Sequence, residues 1–313
     1  MARTYANKSS KKGKKSSQKD DELVQAALER FDIAEEYYAE EYNRGREDYN
    51  FVLGDQWPED IRADREAQGR PCLTENRMLS FVHQVVNDIR QANPSITVTP
   101  VDSDADIDTA DVLKGIIRNI EVRSNAASAY DTAAFNSVCT GYGWIRVCTD
   151  WVRDTFEQEV SIKRVMNPFS VYPDPNHKEV DGSDMDWLFI IDNIPKDSFE
   201  EMYPDAMPIG FKESEYEDAW VEDNAVRVAE YFYKDYETVT LVNTDFGIFE
   251  STEVPEFAVE IERREFQRVK IKWCKMNYQE VLETSEWLGE YIPIVPVYCE
   301  EVYTRGKRVS YSM

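Results

Sequence analysis

The feature that most constrains the fold is a change of hydrophobic period near residue 143. Before this point, apolar residues recur every three or four positions, the spacing of one face of an α-helix. After it, residues such as Ile145 and Val147 alternate with Arg146 and Cys148, the pattern of a strand with one buried face. The sequence therefore predicts an α+β fold, with long N-terminal helices followed by a mostly antiparallel β region.

The first half predicts four helices. The first begins near Asp20, and its apolar face comprises Leu23, Ala27, Phe31, Ala34, Tyr38 and Tyr42. Loops around 54–58 and 69–71 precede a helix over about 75–93, which Pro94 ends. A short strand over 96–101 follows, and then helices over about 105–123 and 126–140. The helix over 105–123 is expected to bury Val112, Ile116, Ile117 and Ile120.

The second half predicts a strand over 144–151 with a hairpin partner over 156–165. Further strands are expected over 187–192, 226–233, 238–242 and 257–273, with a short helix over 196–203. We divide the chain into a disordered basic tail (1–19), a mainly helical region (20–142) and a mainly β region (143–313).

The charge is unevenly distributed. The chain has 36 Lys and Arg against 61 Asp and Glu, a net charge of −25, and residues 1–19 hold seven basic residues and no acidic one. An acidic body is poorly suited to gripping nucleic-acid phosphates or an anionic membrane, and no apolar run reaches the roughly 20 residues of a membrane span. The tail is either a solvated segment or an arm that touches DNA or an acidic surface.

Motifs for catalysis are missing from the sequence. The two histidines are far apart: we expect His83 to be packed or at the surface of a helix, and His177 to face solvent in a turn. The five scattered cysteines are interpreted as reduced thiols. Neither a phosphate-binding GxxxxGK[ST] loop nor GxGxxG or GxSxG occurs. These observations predict a chain without enzymatic activity and without a cofactor.

An acidic loop is the one weak candidate for a metal site. Its carboxylates at alternate positions resemble a calcium loop, and they are Asp102, Asp104, Asp106 and Asp108. The sixth and twelfth positions are Ile107 and Leu113, where a calcium loop needs glycine and glutamate. We interpret the segment as a loop that caps the next helix through Asp106 or Asp108.

Several collinear segments, at 51–57, 70–77, 85–94, 140–146 and 167–175, together resemble the portal proteins of short-tailed, lambdoid-type bacteriophages. The residues that carry this resemblance are Gly54, Asp55, Gln56, Trp57, Asn76, Arg77, Asn167, Pro168, Tyr172, Asp174 and Pro175.

The resemblance implies a structural subunit of a dodecameric ring at one vertex of the phage head, through which double-stranded DNA is packaged and ejected. It implies contacts with further copies of the chain, the terminase large subunit, head-completion and tail proteins, and coat and scaffolding proteins, but not with a membrane. The location would be the portal vertex of the virion, after assembly in the host cytoplasm.

Members of the family are about twice as long, and they continue beyond the region matching 291–297 into stem, clip and barrel regions. We therefore expect this chain to correspond to the N-terminal, wing-like portion alone. Two other functions stay open from the residues: an acidic scaffold or binding module for basic proteins, and a metal-dependent hydrolase that uses the 102–111 loop.

Overall fold

The computed structural model describes residues 18–92, 96–100, 106–210, 225–255, 257–304 and 306–313. The basic tail up to residue 17 and two carboxylates of the acidic loop, Asp102 and Asp104, lie outside the described residues.

The first part of the described chain is helical, as predicted. Its helices are α1 (Gln18–Leu53), α2 (Glu59–Ala67), α3 (Met78–Ala92), α4 (Ile107–Ser124), α5 (Ala126–Thr140) and, later in the chain, α6 (Lys196–Met202). In α1, Asp20 and Asp21 lie in the first turn, where carboxylates favour the positive end of the helix dipole. Gly54 follows α1 with a φ of 111°, a conformation that suits glycine.

Two predictions for the helical region are wrong, and one helix was not predicted. Residues 96–100 pair with none of the strands in the described ranges, and Pro100 lacks the N–H that a sheet ladder needs. The loops predicted around 54–58 and 69–71 are confirmed, and the short helix α2, which was not predicted from the sequence, lies between them and begins directly after Pro58. Val112 and Ile116 of α4 are 61% and 50% exposed, because α4 turns its Ala110 side toward α5 and β2 instead.

The strands form three antiparallel sheets. They are β1 (Tyr142–Trp151), β2 (Gln158–Arg164), β3 (Val171–Pro173), β4 (Trp187–Pro195), β5 (Ala225–Thr244), β6 (Gly247–Glu250), β7 (Glu260–Met276), β8 (Val281–Trp287), β9 (Ile294–Tyr298), β10 (Glu300–Thr304) and β11 (Lys307–Tyr311). The sheet orders are β2-β1-β9, β10-β11 and β3-β4-β5-β7-β8, with β6 paired to β5. The α+β fold class is confirmed.

The predicted hairpin of the second half is confirmed by the register of β1 and β2, which runs from Ile145 opposite Arg164 to Trp151 opposite Gln158. The strands predicted over 226–233 and 238–242 are one strand, β5. Its polar middle, 234–237, stays paired with β7 and so does not form a turn.

The main core lies where α1 crosses the sheets. The predicted apolar face of α1 is confirmed, with Phe31 and Ala34 fully buried. The ring of Phe31 meets the rings of Tyr172 and Phe189 edge-on, at centroid distances of 4.9 and 5.5 Å. Because aromatic rings bury large areas and pack in defined orientations, these contacts fix α1 relative to β3 and β4.

A smaller apolar cluster joins α1, α3 and α5. Its buried members are Val52, Val82, Val86, Val138 and Cys139. The helical region is thus attached to the sheets through both α1 and α5, since α5 also runs directly into β1.

Candidate functional site

The first six residues that carry the resemblance lie together where the chain passes from α1 to α3. Asn76 Nδ2 donates to the carbonyl oxygen of Val52 (2.7 Å), and Asn76 Oδ1 accepts from the N–H of Met78 (3.1 Å). Gln56 Nε2 lies 3.5 Å from Asn76 Oδ1. Gly54 lies beside the same amide, on the side where other residues carry a Cβ. Asn76 therefore ties the end of α1 to the start of α3.

The other members of this group lie nearer the surface. Asp55 forms an ion pair with Arg62 of α2, and the guanidinium of Arg65 lies 4.8 Å from the centre of the Trp57 ring. These contacts hold α2 against residues 55–57, which follow the end of α1. Within the described ranges Arg77 forms an ion pair with Glu75 alone, and its side chain is 76% exposed, so it is open to contacts with other molecules.

The second group, residues 167–175, forms the connection between the two larger sheets. Asn167 Oδ1 accepts from the N–H of Phe169 (3.0 Å) and so caps the short 3-10 turn Pro168–Ser170. The carbonyl of Pro168 accepts a hydrogen bond from Trp144 Nε1 (3.0 Å). Tyr172 is buried in the main core, and its backbone pairs with β4.

Asp174 is buried and organises the turn that follows β3. Its carboxylate accepts from Asn176 N and Nδ2 at 2.9 and 3.1 Å, and from the N–H of Asp186 at 3.4 Å. The half-buried Pro175 lies between these groups. A carboxylate that satisfies several donors at once holds a turn in one conformation.

His177 is buried, and the prediction that it faces solvent is wrong. Its Nδ1 lies 2.5 Å from the carbonyl oxygen of Asp174, and its Nε2 lies 3.0 Å from Tyr298 Oη and also contacts Arg308. Burial, followed by the positive charge of Arg308, lowers the pKa of His177 to about 4. Tyr298 and Arg308 come from strands more than 100 residues later, which local turn composition does not reveal.

The β10–β11 hairpin packs against one polar side of α1. Glu41 Oε1 accepts from the N–H of Ser310 (3.1 Å), and Arg44 Nη2 donates to the carbonyl oxygen of Ser310 (2.9 Å). One turn further on, Asp48 accepts from Ser312 Oγ (2.8 Å). Burial raises the pKa of Glu41. The sequence signal for this contact is the spacing of Glu41, Arg44 and Asp48 along one side of the helix.

A largely buried ion pair joins the β1 sheet to the β5 sheet. Arg146 donates to both oxygens of Glu230, at 3.2 and 2.5 Å, and Trp273 Nε1 donates to the same carboxylate at 2.9 Å. Burial by itself would raise the pKa of Glu230, but the Arg146 guanidinium outweighs it and the pKa is lowered. The carboxylate is therefore charged at neutral pH.

In the acidic loop, Asp106 caps α4, because its side chain accepts from the N–H of Asp108 (3.1 Å). Within the described ranges, no group of three or more His, Cys, Asp and Glu side chains is arranged to hold a metal ion. All five cysteines are free thiols. None of the helices described here has both the length and the apolar character needed to cross a membrane.

Comparison with known proteins identifies relatives over almost the whole described chain. The sequence model of the phage P22-like portal protein family matches residues 28–313, which include both groups of site residues. A curated portal protein of Acyrthosiphon pisum secondary endosymbiont phage 1 is 23% identical over 274 residues. The alignment covers 79% of this chain but 38% of that relative, so the chain spans well under half of the relative's length.

Proposed function

Because the chain belongs to the phage P22-like portal protein family, we propose that it is a structural subunit of the ring at the phage head vertex through which double-stranded DNA is packaged and ejected. The family match over residues 28–313 carries this proposal. The match covers 38% of the curated relative. We propose that this chain supplies the wing-like portion of the ring.

The geometry of the site supports a structural role. Asn76, Asp174 and the Arg146–Glu230 pair are directional polar contacts at the joints between elements. Buried polar contacts of this kind specify one relative orientation, whereas apolar packing alone tolerates several. A subunit that must keep its shape while DNA moves past it benefits from such fixed joints.

The charge of the chain supports passage of DNA without tight binding. A protein that neutralises phosphates must break those contacts at every step of movement along DNA. With a net charge of −25, a ring of these subunits would repel the backbone and leave the duplex free to slide. The basic tail is the exception, and it would make at most weak contacts.

The proposed partners are further copies of the chain, the terminase large subunit, head-completion and tail proteins, and coat and scaffolding proteins. The proposed location is the portal vertex of the virion, after assembly in the host cytoplasm. In this role the chain needs neither catalytic residues nor a cofactor, because work on the DNA is done by the terminase.

Negative-stain electron microscopy of the purified protein tests the ring, and we expect closed rings with a central hole. A parallel pulldown compares terminase large subunit with a histone-like basic protein of similar size. Retention of terminase alone supports the portal role. Isolated particles without rings, combined with capture of the basic protein alone, would show that the chain is an acidic binding module instead.

A further inference from the structure

The end of the long β5–β7 hairpin carries a group of exposed apolar side chains. We call residues 244–255 and 257–262 the hairpin tip. Five of its large apolar side chains are between 63% and 74% exposed. They are Phe246, Ile248, Phe257, Val259 and Ile261. Contiguous exposed apolar groups of this size usually mark a contact surface.

The hairpin tip holds these side chains in a defined arrangement. Asp245 Oδ1 accepts from the N–H of Val259 (2.8 Å), and the N–H of Phe246 donates to Thr244 Oγ1 (3.2 Å). The rings of Phe246 and Phe257 meet edge-on at a centroid distance of 5.4 Å. Since the anchors are already ordered, docking them on a partner costs little additional conformational entropy.

The charge of the hairpin tip limits the partners that fit it. Residues 245–262 contain six acidic residues and no basic one. Glu250 and Glu260 pair with Arg268 and Arg263, which lie further along β7. Glu253 and Glu262 have no ion-pair partner among the residues that the structure describes. The complementary surface should therefore be apolar with unpaired basic side chains.

One side of α4 has this character. Ile107 and Val122 are 67% and 73% exposed, and Lys114 and Arg118 lie between them on the same side of the helix. Neither cation has an ion-pair partner in the described ranges. Asp111 lies on this side too, and Glu121 at its edge is half-buried and accepts a hydrogen bond from Tyr130 of α5. The exposed charges of this side are therefore Asp111, Lys114 and Arg118, a net charge of +1. We call Ile107, Lys114, Arg118 and Val122 the α4 stripe.

We propose that the hairpin tip of one copy docks on the α4 stripe of a second copy. The proposal rests on the proposed ring function and adds the surfaces that meet. Contact between two different surfaces is head-to-tail, and it produces a closed ring when the rotation per subunit fits. Copies with a net charge of −25 repel one another overall, so local opposite charges are needed to orient the encounter.

Two variants test the contact. The tip variant carries Phe246→Ser and Phe257→Ser, and the stripe variant carries Lys114→Glu and Arg118→Glu. All four side chains are exposed, so both variants should keep the wild-type circular dichroism and unfolding midpoint. In sedimentation velocity, wild type should form higher oligomers, and each variant alone should associate at least tenfold more weakly.

Mixing the two variants gives the decisive result. The tip variant keeps an intact α4 stripe and the stripe variant keeps an intact hairpin tip, so an equimolar mixture can form one contact and no more. We expect a 1:1 dimer that does not grow. As a matched control, Val180→Ser with Leu288→Ser removes two exposed apolar side chains elsewhere and should associate like wild type.

A charge-reversal experiment tests the pairing directly. A chain that combines the stripe variant with Glu253→Lys and Glu262→Lys should recover self-association, whereas the two lysine substitutions alone should weaken it. A wild-type protein that stays monomeric, or a tip variant that associates like wild type, overturns the proposal. Rings formed equally by both variants would overturn the contact but leave the ring function standing. A 1:1 mixed dimer without closed wild-type rings would support the contact but overturn the ring function.

Discussion

His177 is enclosed by groups from three parts of the chain. Asp174 and Asp184 face it from its own loop, and Tyr298 and Arg308 face it from β9 and β11. Protonating the ring would place a second positive charge beside Arg308 in a buried position. The folded chain therefore favours the neutral imidazole, and folding is coupled to pH through this residue.

Acid should destabilise the fold through His177. Its pKa is about 4 in the folded chain against a usual value of 6.5, so the unfolded chain binds the proton more readily. Stability is thus complete above pH 6.5 and is lost as the pH falls toward 4. Between pH 7 and pH 5 we expect a loss of about 2 kcal/mol, measured by urea unfolding.

His177→Gln should remove most of this pH dependence, although it also lowers stability at pH 7. His83→Gln changes the other histidine, which is exposed on α3, and should leave the profile as in wild type. An unchanged profile in His177→Gln would show that other groups are responsible.

Asn76 is the residue of the first site group with the most structural contacts. Asn76→Ala removes its hydrogen bonds to Val52 and Met78 and should lower the free energy of unfolding by about 1–2 kcal/mol. Arg77→Ala, at the next position, is the matched control. Because Arg77 is exposed, its loss should change stability by less than about 0.5 kcal/mol. Equal effects in urea unfolding would contradict this division of roles.

At the scale of elements, α5 and β1 approach so closely that only glycine fits between them. A Cβ at Gly143 would lie 2.1 Å from the carbonyl oxygen of Ala133, which is backbone and cannot move alone. Gly143→Ala should therefore destabilise the protein by more than about 3 kcal/mol or prevent folding.

Gly115→Ala is the matched control. Gly115 lies inside α4 with open space around it, so alanine there should raise the unfolding midpoint by the equivalent of about 0.5–1 kcal/mol. Soluble, normally folded Gly143→Ala with an unchanged thermal midpoint would show that the α5–β1 packing differs from that described.

The Arg146–Glu230 ion pair between the two larger sheets leads to a second prediction at the scale of elements. Glu230→Ala leaves Arg146 as a buried cation without its carboxylate and should cost about 3–5 kcal/mol. Glu159→Gln breaks the exposed pair between β2 and Arg123 of α4 and should cost less than about 1 kcal/mol. Thermal unfolding of both variants compares the pairs, and similar losses would argue against a special role for the buried pair.

Element type followed from local pattern, but some boundaries and buried faces did not. The sequence predicts the apolar face of α1 because its side chains repeat along one continuous helix of 36 residues. It predicts the β1–β2 hairpin because apolar and polar residues alternate strictly. The pattern of α4 does not determine its buried face, because that helix has apolar residues on several sides. Which side is buried depends on where α5 and β2 lie.

For the whole molecule, the charge predicts weak interaction with DNA. In fluorescence anisotropy with a short duplex at moderate salt, we expect no binding tighter than about 10 μM. A chain without residues 1–17 should bind even less at low salt, because it has lost six basic residues. A nanomolar complex that persists without these residues would contradict the idea that DNA slides past an acidic wall.

The sequence by itself determined the α+β class, the acidic body and the likeness to portal proteins, because periodicity, charge and collinear segments are local properties of the chain. The tertiary structure decided the rest. It buried His177 against Tyr298 and Arg308, joined Arg146 to Glu230, and placed the β10–β11 hairpin on α1. These contacts join residues from 84 to 269 positions apart. Packing selects such partners from many chemically equivalent side chains, and local pattern carries no information on that choice.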